Sequence, residues 1–162
     1  MSSEFPLVQT PLKRDSKSTY NQGQYGLWEP GLSFALPGDL LVSYASRGGW
    51  YSLDGGMAIL GFNIVTSAFN YTTSSGALQI GPIPFIPHTG QTFGYPGVIV
   101  WSGIVLPAGY TQLASYISSG FEYILLMMSG SGQPINSVGN AEVATGSSLI
   151  LDGSVLYRVN KL

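Results

Sequence analysis

From Gly26 onward the apolar runs of this chain are short, and clusters of Gly, Pro, Asn, Asp or Ser interrupt them about every 8 to 12 residues. That punctuation leaves no room for a long amphipathic helix and is the pattern of an all-β sandwich or barrel. The 22 Gly and 10 Pro among 162 residues strengthen the point, since both residues break helices and serve turns.

Alternation locates the strands. Leu40 to Tyr44 precedes Gly48-Gly49, read as a turn, and Trp50 to Leu53 precedes the turn Asp54-Gly55-Gly56. The longest regular strand runs from Met57 to Thr66, with Ala58, Leu60, Phe62 and Ile64 on one face and Met57, Ile59, Gly61, Asn63 and Val65 on the other. Leu78 to Ile80 leads into Pro82, Pro84 and Pro87, which exclude a central strand there. Val98 to Trp101, Tyr110 to Ile117 and Tyr123 to Met128 follow, and Asp152-Gly153 reads as the tight turn of a closing hairpin. The glycines as a group are expected in turns.

Charge is the second constraint. Only 9% of residues are charged, against about a quarter in an ordinary globular domain. No lysine or arginine occurs between Gly48 and Tyr157. A nucleic-acid binder needs cations along a face to displace counterions from phosphates, so DNA and RNA are not expected partners. No stretch reaches the roughly 20 apolar residues of a spanning helix, so membrane insertion is not expected either. Low charge with 10 Tyr, 7 Phe and 3 Trp instead suits burial against other protein subunits. Tyr123 to Met128 is apolar on both faces, which requires a cover on its outer side, either a loop or another subunit. Tyr123, Leu125 and Met127 are the candidate residues of a homotrimer interface.

Residues 1–25 differ from the rest, with two prolines, three of the chain's cations and a polar run but no sustained period. They read as an extended N-terminal docking arm, and residues 26–162 as the β-sandwich domain. Phe5, Leu7, Val8 and Leu12 would supply its apolar anchors, and Lys13, Arg14 and Lys17 its charges. Met1 to Pro6 lacks the basic-then-apolar order of a signal peptide, so the expectation is synthesis in a host cytosol.

Catalytic chemistry finds little support. Cysteine is absent, which removes thiolate metal sites and disulfides. His88 is the sole histidine and follows Pro87 in a proline-rich stretch, where it reads as a solvated loop residue. Of the carboxylates, only Glu29, Glu122 and Glu142 fall outside the arm and the turn sequences, a thin pool for glycoside hydrolysis. No cofactor and no enzymatic activity are expected. Aromatic residues beside glycine, namely Trp50, Tyr51, Tyr95 and Tyr110, are candidates for stacking on sugar rings, with core or interface packing as the alternative.

Three segments resemble a known family. Gly26-Leu27-Trp28-Glu29-Pro30-Gly31-Leu32 is similar to the Gly-x-Trp-x-Pro-x-Leu opening of a β-sandwich domain found at the ends of bacteriophage tail fibres and tailspikes. Tyr44 to Gly55 resembles its second block, an aromatic-rich hairpin, although Ser52 stands where the family often has a basic residue. Gly76 to Phe85 resembles the third, a strand ending in Gly-x-Pro-Phe. The resemblance covers about residues 26–86 and implies an antiparallel, jelly-roll-like sandwich that forms a homotrimer on the surface of a virion; it assigns no catalytic residue.

The family's domain usually tips a long fibre, and this sequence shows no heptad seam for a coiled-coil shaft. The leading expectation is therefore a capsid decoration, or cement, protein strapped to the major capsid protein by its arm. The rival is a short tail fibre or receptor-binding tip that docks on a tail protein and recognises host surface polysaccharide. A soluble carbohydrate-binding module is a further alternative.

Overall fold

The computed structural model describes residues 23–90 and 92–160. All regular structure among them is β: β1 (Gln24–Trp28), β2 (Gly31–Leu36), β3 (Leu41–Asp54), β4 (Met57–Asn70), β5 (Ser75–Gly81), β6 (Tyr95–Ser102), β7 (Gln112–Ile117), β8 (Ile124–Ser129), β9 (Asn136–Ser137) and β10 (Ile150–Arg158). Every pairing is antiparallel, in the order β1-β3-β4-β10-β6-β7-β8-β5-β2, with β9 beside β8. The β6–β7 contact is brief, Tyr95 opposite Ile117 and Pro96 opposite Tyr116. The sheet curls at that point, so β1, β3, β4, β10 and β6 form one half and β7, β8, β5 and β2 the other, in the all-β sandwich arrangement the sequence implies.

The alternation of β4 fixes the layer order. Ala58, Leu60, Phe62 and Ile64 are buried, as their shared face requires. They meet Leu78 and Ile80 of β5, Ile124, Leu126 and Met128 of β8, and Leu151, Val155 and Tyr157 of β10 in one core. β4 continues past Thr66 to Asn70 through a register shift opposite Tyr44 of β3.

Two turns expected from sequence are strand interior. Asp54-Gly55-Gly56 does turn, with φ of 56° at Gly55 and 82° at Gly56. Gly48-Gly49, by contrast, lies within β3, and Asp152-Gly153 lies within β10, paired to β4 on one side and β6 on the other. The reason is packing. A Cβ on Gly49 would meet the Trp28 indole at 2.2 Å, and one on Gly153 would meet Phe62 at 2.7 Å and the Val98 carbonyl at 2.6 Å. Gly26 under Tyr51 and Gly61 under Trp50 follow the same rule. These glycines are therefore seats for aromatic rings from neighbouring strands, not turn residues.

Gln24 and Tyr25, the end of the segment read as an arm, pair with Leu53 and Ser52 in β1. Residues 1–22, including the docking candidates Phe5, Leu7, Val8, Leu12, Lys13, Arg14 and Lys17, lie outside the described residues.

Candidate functional site

The outer face of the first half-sheet carries large apolar side chains without the polar alternation of a solvated face. Register sets out the rows. Leu27, Trp50, Gly61, Ser154 and Val98 are consecutive partners across β1, β3, β4, β10 and β6. One step along, Gly48, Asn63, Asp152 and Val100 form the next row. One step the other way, Tyr25, Ser52, Ile59 and Leu156 form a third.

The first two rows, with Tyr25 of the third, line a groove of about 1020 Å³. Tyr25 and Leu27, exposed by 71% and 77%, stand on the β1 side, and Val98 and Val100, by 69% and 72%, on the β6 side. The floor is low at Gly48, where even a Cβ would meet nothing within 4 Å. On this floor Trp50 occupies the space above Gly61, keeping 41% of its surface exposed. Trp28, from the other side, donates its indole N–H to the Gly61 carbonyl at 3.1 Å. Gly61 is thus pinned by both tryptophans.

Polar groups sit beside the indole. Asn63 Nδ2 donates to Asp152 Oδ2 at 3.1 Å, leaving the other carboxylate oxygen and the Asn63 carbonyl without a partner in that pair. At the groove's end Arg47 pairs with Glu29, Nη2 to Oε1 at 2.6 Å, with its guanidinium 4.3 Å from the Tyr44 ring centre. Desolvation works against the Arg47 charge, but the hydrogen bonds and charges of Glu29 and Tyr44 together outweigh it and raise its pKa. Two carboxylates, Glu29 and Asp152, therefore line the groove together with one guanidinium, which Glu29 engages. The arrangement offers an aromatic surface, a hydrogen-bonded amide–carboxylate fork and apolar walls, which is equipment for binding.

Of the stacking candidates, the structure places only Trp50 in this groove. Tyr51 points to the opposite face, edge-on to Phe85 with ring centres 5.0 Å apart. Tyr95 packs near Tyr157 at 6.1 Å, and Tyr110 accepts a hydrogen bond from Asn136 at 2.8 Å. Asn63 and Asp152 were missed as site residues. The period of β4 had already put Asn63 on the outer face, whereas reading Asp152-Gly153 as a turn hid its partner.

The other half-sheet presents the proposed interface residues. In β8, Ile124, Leu126 and Met128 enter the core, while Leu125 and Met127 are half-buried on the outer face. Leu125 lies between Tyr116 and Gln79, and Met127 between Ala114 and Ser137. Tyr123 precedes the strand, its ring 6.0 Å from that of Phe121. This outer row carries no charge.

The remaining candidates for chemistry are dispersed. Glu29 is held by Arg47, Glu142 accepts the Gly139 amide at 2.7 Å, and Glu122 lies in the turn before β8. His88 is half-buried rather than solvated. Its amide donates to the Arg158 carbonyl at 2.8 Å, its carbonyl accepts from Ser119 at 2.8 Å, and its Nδ1 is buried without a partner among the described residues.

No family model and no curated protein sequence matches this chain. Among solved structures, the chain is similar to the crystal structure of the Dettilon tailspike protein, with a TM-score of 0.59 and 17% sequence identity. The match takes in 82% of this chain and 23% of the tailspike chain, so the chain spans less than a quarter of that protein's length. The fold described above is thus shared with one segment of a phage tailspike.

Proposed function

We propose that this protein is a non-catalytic structural protein of a bacteriophage virion, acting as a homotrimeric module on the tail side of the particle. The observation that carries the reading is the fold likeness to a tailspike segment over 82% of the chain. The sequence blocks at 26–32, 44–55 and 76–85 agree with it. Trimerisation is supported by the charge-free outer row around Leu125 and Met127. The capsid decoration reading rests on a different observation, the composition of residues 1–25, whose apolar and cationic residues suit docking on another virion protein.

Counting copies decides between them. Quantitative mass spectrometry of purified particles, normalised to the major capsid protein, is expected to give a few tens of copies at most for a tail-side module. Hundreds of copies would establish decoration, and absence from the particle would overturn the virion reading altogether.

A further inference from the structure

We infer that the groove between β1 and β6 is a binding site for a neutral oligosaccharide, with Trp50 as its stacking surface and the Asn63–Asp152 pair as its hydroxyl-binding fork. The inference rests on the tail-side reading only for the source of the sugar, a host surface glycan; the chemistry comes from the groove itself.

The elements of the argument converge on one small area of sheet. Trp50 and Asn63 stand on the same face of adjacent strands in neighbouring rows, and Asp152 is the cross-strand partner of Asn63. The C–H face of a pyranose packs on an indole, burying apolar area while its hydroxyls stay at the rim. An amide and a carboxylate joined by one hydrogen bond then offer a donor and acceptors to adjacent hydroxyls, as sugars require. Ser154, next to Gly61 in the Trp50 row, adds a further hydroxyl. Gly48, the neighbour of Asn63 in its row, lets a ring approach the backbone there, and the groove's volume of about 1020 Å³ exceeds the needs of a single ring.

Charge selects the class of sugar. Glu29 and Asp152 both line the groove, and its one arginine is engaged by Glu29. An acidic polysaccharide would bring its carboxylates toward Asp152 with no free cation among the described residues that line the groove to receive them. A protein partner in the same place would be favoured by Leu27, Val98 and Val100, but would leave the exposed amide–carboxylate fork to be desolvated. A sugar satisfies both.

The test is titration of the full-length protein with mannohexaose, isomaltohexaose and an N-acetylglucosamine hexamer, each up to millimolar concentration, beside an oligogalacturonate hexamer as the acidic probe. Calorimetry and tryptophan fluorescence are the readouts. Saturable binding of at least one neutral hexamer is expected, with affinity lowered about tenfold or more by Trp50→Ala and largely kept by Trp50→Phe. Asp152→Ala, an exposed substitution that should leave the fold intact, is expected to weaken the same binding by a similar factor. Silence toward every neutral hexamer, equal binding of the acidic one, or binding indifferent to both Trp50→Ala and Asp152→Ala would each overturn the proposal. Occupation of the groove by a second copy would show as concentration-dependent mass lost in Trp50→Ala and unaffected by sugar, which would also overturn it. None of these outcomes bears on copies per particle, so the virion reading stands or falls separately.

Discussion

The Trp50 indole takes the place of a side chain at Gly61, its Nε1 lying 2.3 Å from where the Cβ of any larger residue would be. Trp50 and Gly61 are direct cross-strand partners, so the ring has nowhere else to go without leaving the sheet. Gly61→Ala is therefore expected to push the indole off the floor of the groove and to cost about 1 to 3 kcal/mol, the usual range for overpacking. Thermal unfolding and the Trp emission spectrum report both effects. An unchanged melting temperature with unchanged emission would mean that the ring is not seated on Gly61.

Adjacent residues of β8 should answer differently to the same substitution. Leu126 is fully buried in the core, so Leu126→Asp is expected to abolish folding and Leu126→Ala to cost about 2 to 5 kcal/mol. Leu125 and Met127 face outward, so Leu125→Asp and Met127→Asp should leave a folded monomer where the unaltered chain is expected to form the proposed trimer. Circular dichroism with light scattering at micromolar concentration separates the cases. A monomeric parent protein would remove the trimer, and a trimeric Leu125→Asp variant would move its interface elsewhere.

Much of this fold was legible in the sequence because burial obeys the two-residue period. Met57 to Thr66 gave its core face without error, and the Asp54-Gly55-Gly56 turn was marked by residues that tolerate positive φ. The failures share one cause. Gly48-Gly49 and Asp152-Gly153 have turn composition, yet their glycines make room for Trp28 and Phe62 from neighbouring strands, a demand set by residues 21 and 91 positions away. Local pattern cannot register such a partner. The groove was half legible for the same reason: Trp50 announced itself beside glycines, whereas its company depended on β1 and β10 flanking β3 and β4.

Asp39 should make stability depend on pH. Its carboxylate accepts from the hydroxyl and amide of Thr72, and from the Thr73 amide at 2.8 Å, tying the β2–β3 loop to the turn after β4. The Thr72 hydroxyl, and then the amides of Thr72 and Thr73, hold this carboxyl well below the usual range. A depressed folded-state pKa contributes stability that is complete above the unfolded value of about 3.9 and is lost as the pH falls below it. Asp39→Asn should thus melt lower than the parent at neutral pH, with the gap closing in acid. A gap of constant size from neutral to acidic pH would show that the charge is not what the Thr72–Thr73 turn holds.

Removal of the N-terminal segment tests how the module attaches. β1 begins at Gln24, and every described strand pairing is made by residues from there onward. Deleting residues 1–22 should therefore leave the melting temperature and the oligomeric state unchanged. Attachment is another matter, since Phe5, Leu7, Val8 and Leu12 offer apolar anchors and Lys13, Arg14 and Lys17 supply half of the chain's six basic residues. The cations should make attachment weaken as salt is raised, because exposed ion pairs are screened over about 10 Å at 0.1 M. Full-length and truncated proteins, each added to particles lacking the protein and sedimented at low and high salt, give the comparison. The expected result is binding by the full-length chain alone, reduced at high salt. Equal binding by both forms would place the attachment on the β-domain, with the outer row of Leu125 and Met127 as the next surface to alter.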